Sequence, residues 1–248
     1  KAALARLAYD EFLAGQSALA LVRADAKRGA KEPIVGDGHL RRQILAALPF
    51  APTGSQINAF DEIAADMAKP EKMLRLLQGD VGAGKTVVAA LAALRAIEAG
   101  WQCALMAPTE ILAEQHFGKL VDWLTPLLAP LDLQVAWLAG AQKKKERAAM
   151  LALVESGAAA LVVGTHAVIQ EQVRFARLGL AVIDEQHRFG VAQRLALRQK
   201  LSHQGMEPHL LMMSATPIPR TLAMSYLADL EVSTIDELPP GRTPIVTR

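Results

Sequence analysis

Gly79-Asp-Val-Gly-Ala-Gly-Lys-Thr86 decides how this 248-residue chain is read. It fits G-x-x-x-x-G-K-S/T, and its surroundings are those the pattern needs. An apolar run, Leu74–Leu77, leads into it, and Thr86-Val-Val-Ala-Ala-Leu-Ala-Ala-Leu leads out as a helix. Glycines allow successive backbone N–H groups to converge on phosphate oxygens, and a helix start adds a favourable dipole. Lys85 brings a positive charge to the β- and γ-phosphates, and Thr86 offers a hydroxyl to Mg²⁺. Gly79, Gly82, Ala83, Gly84, Lys85 and Thr86 are therefore the candidate nucleotide contacts.

Outward from the loop, short apolar runs alternate with Ala- and Leu-rich helical stretches. Strands are expected at Met73–Gln78, Cys103–Ala107, Gln134–Leu138, Ala160–Gly164, Leu180–Ile183 and His209–Ser214. Helices are expected at Lys85–Ala99, Ile111–Leu124, Lys143–Ser156 and Ala192–Leu201. Such alternation, with strands apolar throughout, predicts an α/β fold: a three-layer sandwich with a central, mostly parallel sheet. Ligands of such sheets gather beyond the carboxyl ends of the strands. Residues 1–48 read as a helical extension, with helices over Lys1–Lys27 and His39–Leu48 broken by Lys31-Glu-Pro-Ile-Val-Gly-Asp-Gly38. Residues 49–238 form the expected nucleotide-binding domain. Residues 239–248 are a proline-rich linker.

Leu178-Gly-Leu-Ala-Val-Ile-Asp-Glu185 is an apolar strand ending in two acids. A carboxylate at the end of a buried strand is costly unless a cation meets it. Asp184 is the natural metal partner, directly or through a bound water, with Mg²⁺ shared with Thr86, and Glu185 is the candidate to orient or deprotonate an attacking water.

Composition narrows the class. Hydrophobic residues make up 52% of the chain, enough to offset chain entropy, so disorder is excluded. Aromatics are only 4%, so the core is built mainly from Ala, Leu, Val and Ile. A net charge of +2 confines any polyanion site to a local patch. The longest charge-free run is broken by Pro49, Pro52 and Gly54 and is no membrane span. A single cysteine, Cys103, excludes an intrachain disulfide and fits a reducing compartment. No His/Cys spacing suggests zinc.

Further stretches carry a resemblance over most of the chain. They are Ala107-Pro-Thr-Glu-Ile-Leu-Ala-Glu-Gln-His116, Val163-Gly-Thr-His-Ala-Val168, Asp184-Glu-Gln-His-Arg-Phe-Gly-Val191 and Ser214-Ala-Thr-Pro-Ile-Pro-Arg-Thr221. With the phosphate loop they look like motifs I, Ia, Ib, II and III of superfamily-two helicases, in order. Leu48-Pro-Phe50, Thr53-Gly-Ser-Gln56, Gly79-Asp-Val-Gly82 and Glu237-Leu-Pro-Pro-Gly-Arg242 bring the chain closest to the RecG family of bacterial DNA-branch-migrating helicases. The nearest rival is the Mfd type of transcription-repair coupling translocase, which usually has Asp-Glu-Glu-His where this chain has Gln186. A third reading is a nucleotide-binding module without motor function; intact Lys85, Asp184 and Glu185 speak against it.

The resemblance implies a RecA-like ATP-binding motor domain, with ATP and Mg²⁺ as cofactors, DNA as partner and the bacterial cytoplasm as location. It implies that Phe50 and Gln56 contact adenine, Gln56 through a bidentate amide that favours ATP over GTP. A helix-start polar residue is the plainer reading of Gln56. The resemblance also implies that Gln186 and His187 sense the γ-phosphate and relay it to Ser214 and Thr216, where turn capping before Pro217 is the alternative. Thr109, Glu110, Gly140, Thr165 and His166 match the positions that line the DNA track. His166 could equally be a core histidine. Lys143-Lys-Lys-Glu-Arg147 adds local positive charge or is a solvated helix face. Arg41, Arg42, Arg188 and Arg194 are lesser basic candidates. Nothing in the chain resembles the family's wedge domain or the second motor domain with its arginine finger. The chain by itself is thus expected to bind ATP–Mg²⁺ weakly and to hydrolyse it slowly.

Overall fold

The computed structural model describes residues 32–140, 142–184, 208–216 and 230–237. The helices expected over Lys1–Lys27 and Ala192–Leu201, and the linker at 239–248, lie outside the described residues. Seven strands are described: β1 (Leu74–Gly79), β2 (Gln102–Met106), β3 (Gln134–Leu138), β4 (Ala159–Gly164), β5 (Leu178–Ile183), β6 (His209–Ser214) and β7 (Glu231–Ile235). They form one sheet in the order β3-β4-β2-β5-β6-β1-β7. Every pairing is parallel, for example Leu76↔Met212 in β1–β6 and Ala104↔Val162 in β2–β4. Residues 32–140 contain four helices: α1 (His39–Ala47), α2 (Gly54–Met67), α3 (Lys85–Glu98) and α4 (Glu110–Leu128). A fifth, α5 (Lys144–Ser156), follows.

Strand alternation sorts the core into two layers. On one face Leu77, Cys103, Leu105, Leu161, Val163, Leu180 and Leu211 pack with α1 to α4. On the other Leu76, Ala104, Met106, Val162, Ala181 and Met212 pack with Val154 of α5 and with Val168 of a 3₁₀ turn, His166–Ile169. Because both faces are covered, β2, β4, β5 and β6 are buried at every residue, which is why they read as unbroken apolar runs. Helix α3 is buried from Val87 to Leu94, and its alanines let it lie close to the sheet in a chain poor in aromatics.

Residues 32–47, read from sequence as part of a helical extension, share this core. Ile34, Leu40 and Ile44 are each at most 1% exposed and belong to the layer of α2 and α3. Glu98, at the end of α3, accepts the Gly38 N–H at 3.0 Å and also the Leu40 N–H. Its carboxylate thus caps α1, whose own N-cap, Gly38, has φ 78° and no capping side chain. Three elements exceed the sequence expectation: helix α2, of which only the start at Gln56 is expected, and two more. Strand β7 adds an edge beyond β1, and α4 runs on through Pro126 to Leu128. No described helix is long and apolar enough to cross a membrane.

Candidate nucleotide site and nucleic-acid edge

An all-parallel sheet gathers its carboxyl ends along one edge, and the strand order divides that edge into two halves. Reading β3-β4-β2, the residues that follow are Gly140, Thr165 and Thr109. Reading β5-β6-β1, they are Asp184, Ser214 and the phosphate loop. Helix α4 starts at the boundary between the halves.

In the nucleotide half, β1 ends at Gly79 and α3 begins at Lys85. Gly82 and Gly84 have φ of 83° and 84°, the left-handed region that other residues avoid, so the loop needs glycine at both. Lys85 Nζ donates to the Gly79 carbonyl at 2.5 Å and to the Asp80 carbonyl at 3.0 Å, so the ammonium lies on the loop itself. Gln56 stands against the loop from α2. Thr53 caps α2 by accepting the Gln56 N–H at 3.3 Å, while Gln56 Oε1 accepts the Thr53 N–H at 3.0 Å. This is a reciprocal capping box. Gln56 Nε2 then donates to the Ala83 carbonyl at 2.7 Å. The carboxamide, expected to read adenine, is 3% exposed and ties the α2 cap to the phosphate loop. Phe50 is 41% exposed and meets Trp123 of α4 edge-on, with ring centroids 6.2 Å apart.

Thr86 and Asp184, remote in sequence, come within reach of a single imidazole. His116 Nδ1 is 3.4 Å from Thr86 Oγ1, and His116 Nε2 is 2.5 Å from Asp184 Oδ2. Asp184 is held in place by its own N–H, which donates to the Met106 carbonyl at 2.8 Å. His116 sits at the end of the motif stretch quoted above, yet its residue type and spacing alone assign it no role. A lone histidine inside a helix carries no signal by itself. Glu185, Gln186 and His187, as well as Arg188 and Arg194, lie outside the described residues. Ser214 is 1% exposed; its hydroxyl donates to the Thr216 carbonyl at 3.2 Å and accepts the Thr216 N–H at 3.2 Å. The Thr216 hydroxyl also lies 3.0 Å from that of Ser214, so a capping contact and a hydroxyl pair are both present.

In the other half, Thr109 caps α4 by accepting the Leu112 N–H at 3.3 Å, and Glu110 opens the helix to solvent. Gly140 is its neighbour: a β-carbon there would stand 3.7 Å from Glu110 Oε1. Thr165 is buried at the end of β4, whereas His166 is exposed and is not a core histidine. Of the basic run, Lys143, Lys144 and Lys145 are exposed. Arg147 turns inward, donating to the Ala139 carbonyl at 3.0 Å and to Gln170 Oε1 at 2.7 Å, and so fixes the loop that bears Gly140. Arg41 lies over the Phe60 ring and pairs with Asp61 at 3.1 Å, and Arg42 donates to the Asp37 carbonyl at 3.3 Å; both are engaged around α1.

Fold and loop together define a RecA-like α/β domain of the P-loop motor class. The family described as DEAD/DEAH box helicase matches residues 53–225. The ATP-dependent DNA helicase RecG of Escherichia coli is 56% identical over 98% of this chain and 34% of its own length. That of Haemophilus influenzae is 53% identical over the same shares. A solved structure of RecG bound to a three-way DNA junction is 42% identical, with a TM-score of 0.81 over 97% of this chain and 31% of that one. The chain belongs to the DEAD/DEAH box helicases and, among them, to the RecG family. It spans about a third of the length of the curated relatives it matches.

Proposed function

We propose that this chain is the ATP-binding motor domain of a RecG-type DNA helicase, which couples ATP hydrolysis to movement on double-stranded DNA and to remodelling of branched DNA in the bacterial cytoplasm. The observation that carries the reading is the joining of Thr86 to Asp184 through His116 beside the phosphate loop. A hydroxyl and a carboxylate are hard oxygen donors of the kind Mg²⁺ takes, so the residues present fit a magnesium nucleotide. Thr86 and Asp184 would hold the ion, and Gly79, Gly82, Ala83, Gly84 and Lys85 the phosphates. When bound, Mg²⁺ supplies charge neutralisation across the β- and γ-phosphates. Lys85 brings the positive charge of the loop, and Gln56 keeps the loop seated on α2. Glu185 is proposed to orient water, Gln186 and His187 to sense the γ-phosphate, and Ser214 and Thr216 to pass that state onward. Phe50 is proposed to face the adenine.

The neighbouring half of the edge is proposed to carry DNA through Thr109, Glu110, Gly140, Thr165 and His166. Hydroxyls, backbone N–H groups and a helix start grip phosphates without reading bases, which suits a motor that must cross any sequence. The relative solved on a three-way junction supports DNA as the partner. The wedge and second motor domains implied by the resemblance are proposed as partners within the same polypeptide.

The test is ATPase of the full-length protein with forked DNA, linear duplex and RNA side by side, each with and without Lys85→Ala. Forked DNA is expected to stimulate most, and Lys85→Ala to abolish turnover while the fold remains. Equal stimulation by RNA would overturn the DNA reading, and unchanged turnover in the variant would overturn the phosphate-loop assignment. The 248-residue chain alone is expected to turn over slowly on every substrate.

A further inference from the structure

One polar side chain in the nucleotide half has no part in the roles above. His116 projects from α4, two turns below its start. From Thr109 to His116 is seven residues, so the cap and the imidazole fall on one face of the helix, about 10 Å apart along its axis. That face meets the site edge. The His116 side chain is 12% exposed and the Asp184 side chain 9%, so water has little access to their contact.

We propose that His116 is a positioning residue for the magnesium half of the nucleotide site: it hydrogen-bonds both Asp184 and Thr86 and so fixes which of their atoms are left to face the ion or its bound water. The proposal rests on the nucleotide-site reading above. A carboxylate only accepts hydrogen bonds, so the ring hydrogen of the short contact belongs to Nε2 and points at Asp184 Oδ2. In the neutral ring Nδ1 then carries a lone pair and takes the Thr86 hydroxyl hydrogen. The Thr86 lone pairs and Asp184 Oδ1 are left for the cation. Without the imidazole, the threonine hydroxyl turns freely and can aim its hydrogen at the metal, and the carboxylate loses the bond that fixes its plane. Groups that orient metal ligands in this way commonly govern affinity as strongly as a ligand does. His116 acts through Thr86 and Asp184 and is assigned no contact with nucleotide.

The experiment titrates N-methylanthraniloyl-ADP into this chain, once with Mg²⁺ and once with EDTA, and takes the ratio of the two affinities. Lys85→Ala is expected to weaken binding in both conditions. His116→Ala is expected to leave the EDTA affinity unchanged and to cut the magnesium-dependent tightening about tenfold. His116→Gln, whose amide N–H can still reach Asp184, is expected to recover that tightening to within about threefold. If the alanine variant does not fold by circular dichroism, His116→Asn, whose shorter amide falls short of Asp184, takes its place with the same expectation. Magnesium-dependent tightening of wild-type size in the alanine or asparagine variant overturns the proposal, and so does an equal loss in EDTA, which marks general damage. A wild-type chain with no magnesium-dependent tightening overturns the nucleotide-site reading itself.

Discussion

Replacing Gly84 by alanine tests how the phosphate loop is held. Gly84 has φ 84°, and a β-carbon there would press into Gln56 Nε2. The left-handed backbone costs an L-residue about 1–2 kcal/mol. Gln56 must also leave, and with it go its bond to the Ala83 carbonyl and the one it accepts from Thr53, each about 1 kcal/mol. Gly84→Ala should therefore destabilise by about 3–4 kcal/mol. Gln56→Ala alone, losing only the two bonds, should cost about 2 kcal/mol. The double variant has no clash left to relieve and should cost about 3–4 kcal/mol, no more than Gly84→Ala. Urea denaturation of the four proteins closes the cycle, with an expected coupling of about 2 kcal/mol. Additivity within about 0.5 kcal/mol would refute the claim that Gln56 is what a side chain at 84 displaces.

Gly164→Ala places a β-carbon on the Leu138 carbonyl oxygen of the neighbouring strand, where backbone cannot yield, and should cost about 4 kcal/mol or more, read as loss of soluble folded protein. Asp66 is a second case. Burial pushes its carboxyl up, but hydrogen bonds from Lys69 and Arg75 outweigh burial and hold it below its ordinary value. Arg75 donates to it twice, at 2.9 and 2.7 Å, and keeps Glu62 and Ser233 besides. Asp66→Asn should cost about 2 kcal/mol at pH 7, less than for a buried pair left wholly unmatched. A carboxyl lowered on folding stabilises above its unfolded pKa, and that contribution fades as pH falls through the folded value. The gap between wild type and Asp66→Asn in urea melts should thus be full at pH 6 and close below about pH 4. A gap that does not narrow as pH falls below about 4 would refute the assignment.

Six strands were legible because burial on both faces writes them as apolar runs, and the phosphate loop because its glycines and lysine have no cheaper explanation. Strand β7 was not. Glu231-Val-Ser-Thr-Ile235 is an edge with Glu231 and Thr234 exposed, so its pattern is mixed and resembles a loop. Helix α2 was missed beyond its start because Gly54, Ser55 and Asn58 read as turn residues; the capping box supplied by Thr53 and Gln56 is what makes them a helix start. Helix α4 was cut short before Pro126, although a proline near a helix end loses only one hydrogen bond. In the site, residues whose chemistry is tied to a spacing were found, whereas His116 and Arg147 owe their places to contacts across the fold. In sequence Arg147 is one charge in a basic run; in the fold its guanidinium closes on Ala139 and Gln170.

The strand that feeds the phosphate loop lies between the two strands described last along the chain. The Met73 N–H reaches His209 Nδ1 across 136 residues, and Gln78 reaches Thr234 across 156. During synthesis, β1 must wait as an unpaired ribbon until almost all of the domain has left the ribosome. A nascent chain interrupted before residue 209 would have the loop's sequence without a floor to support it.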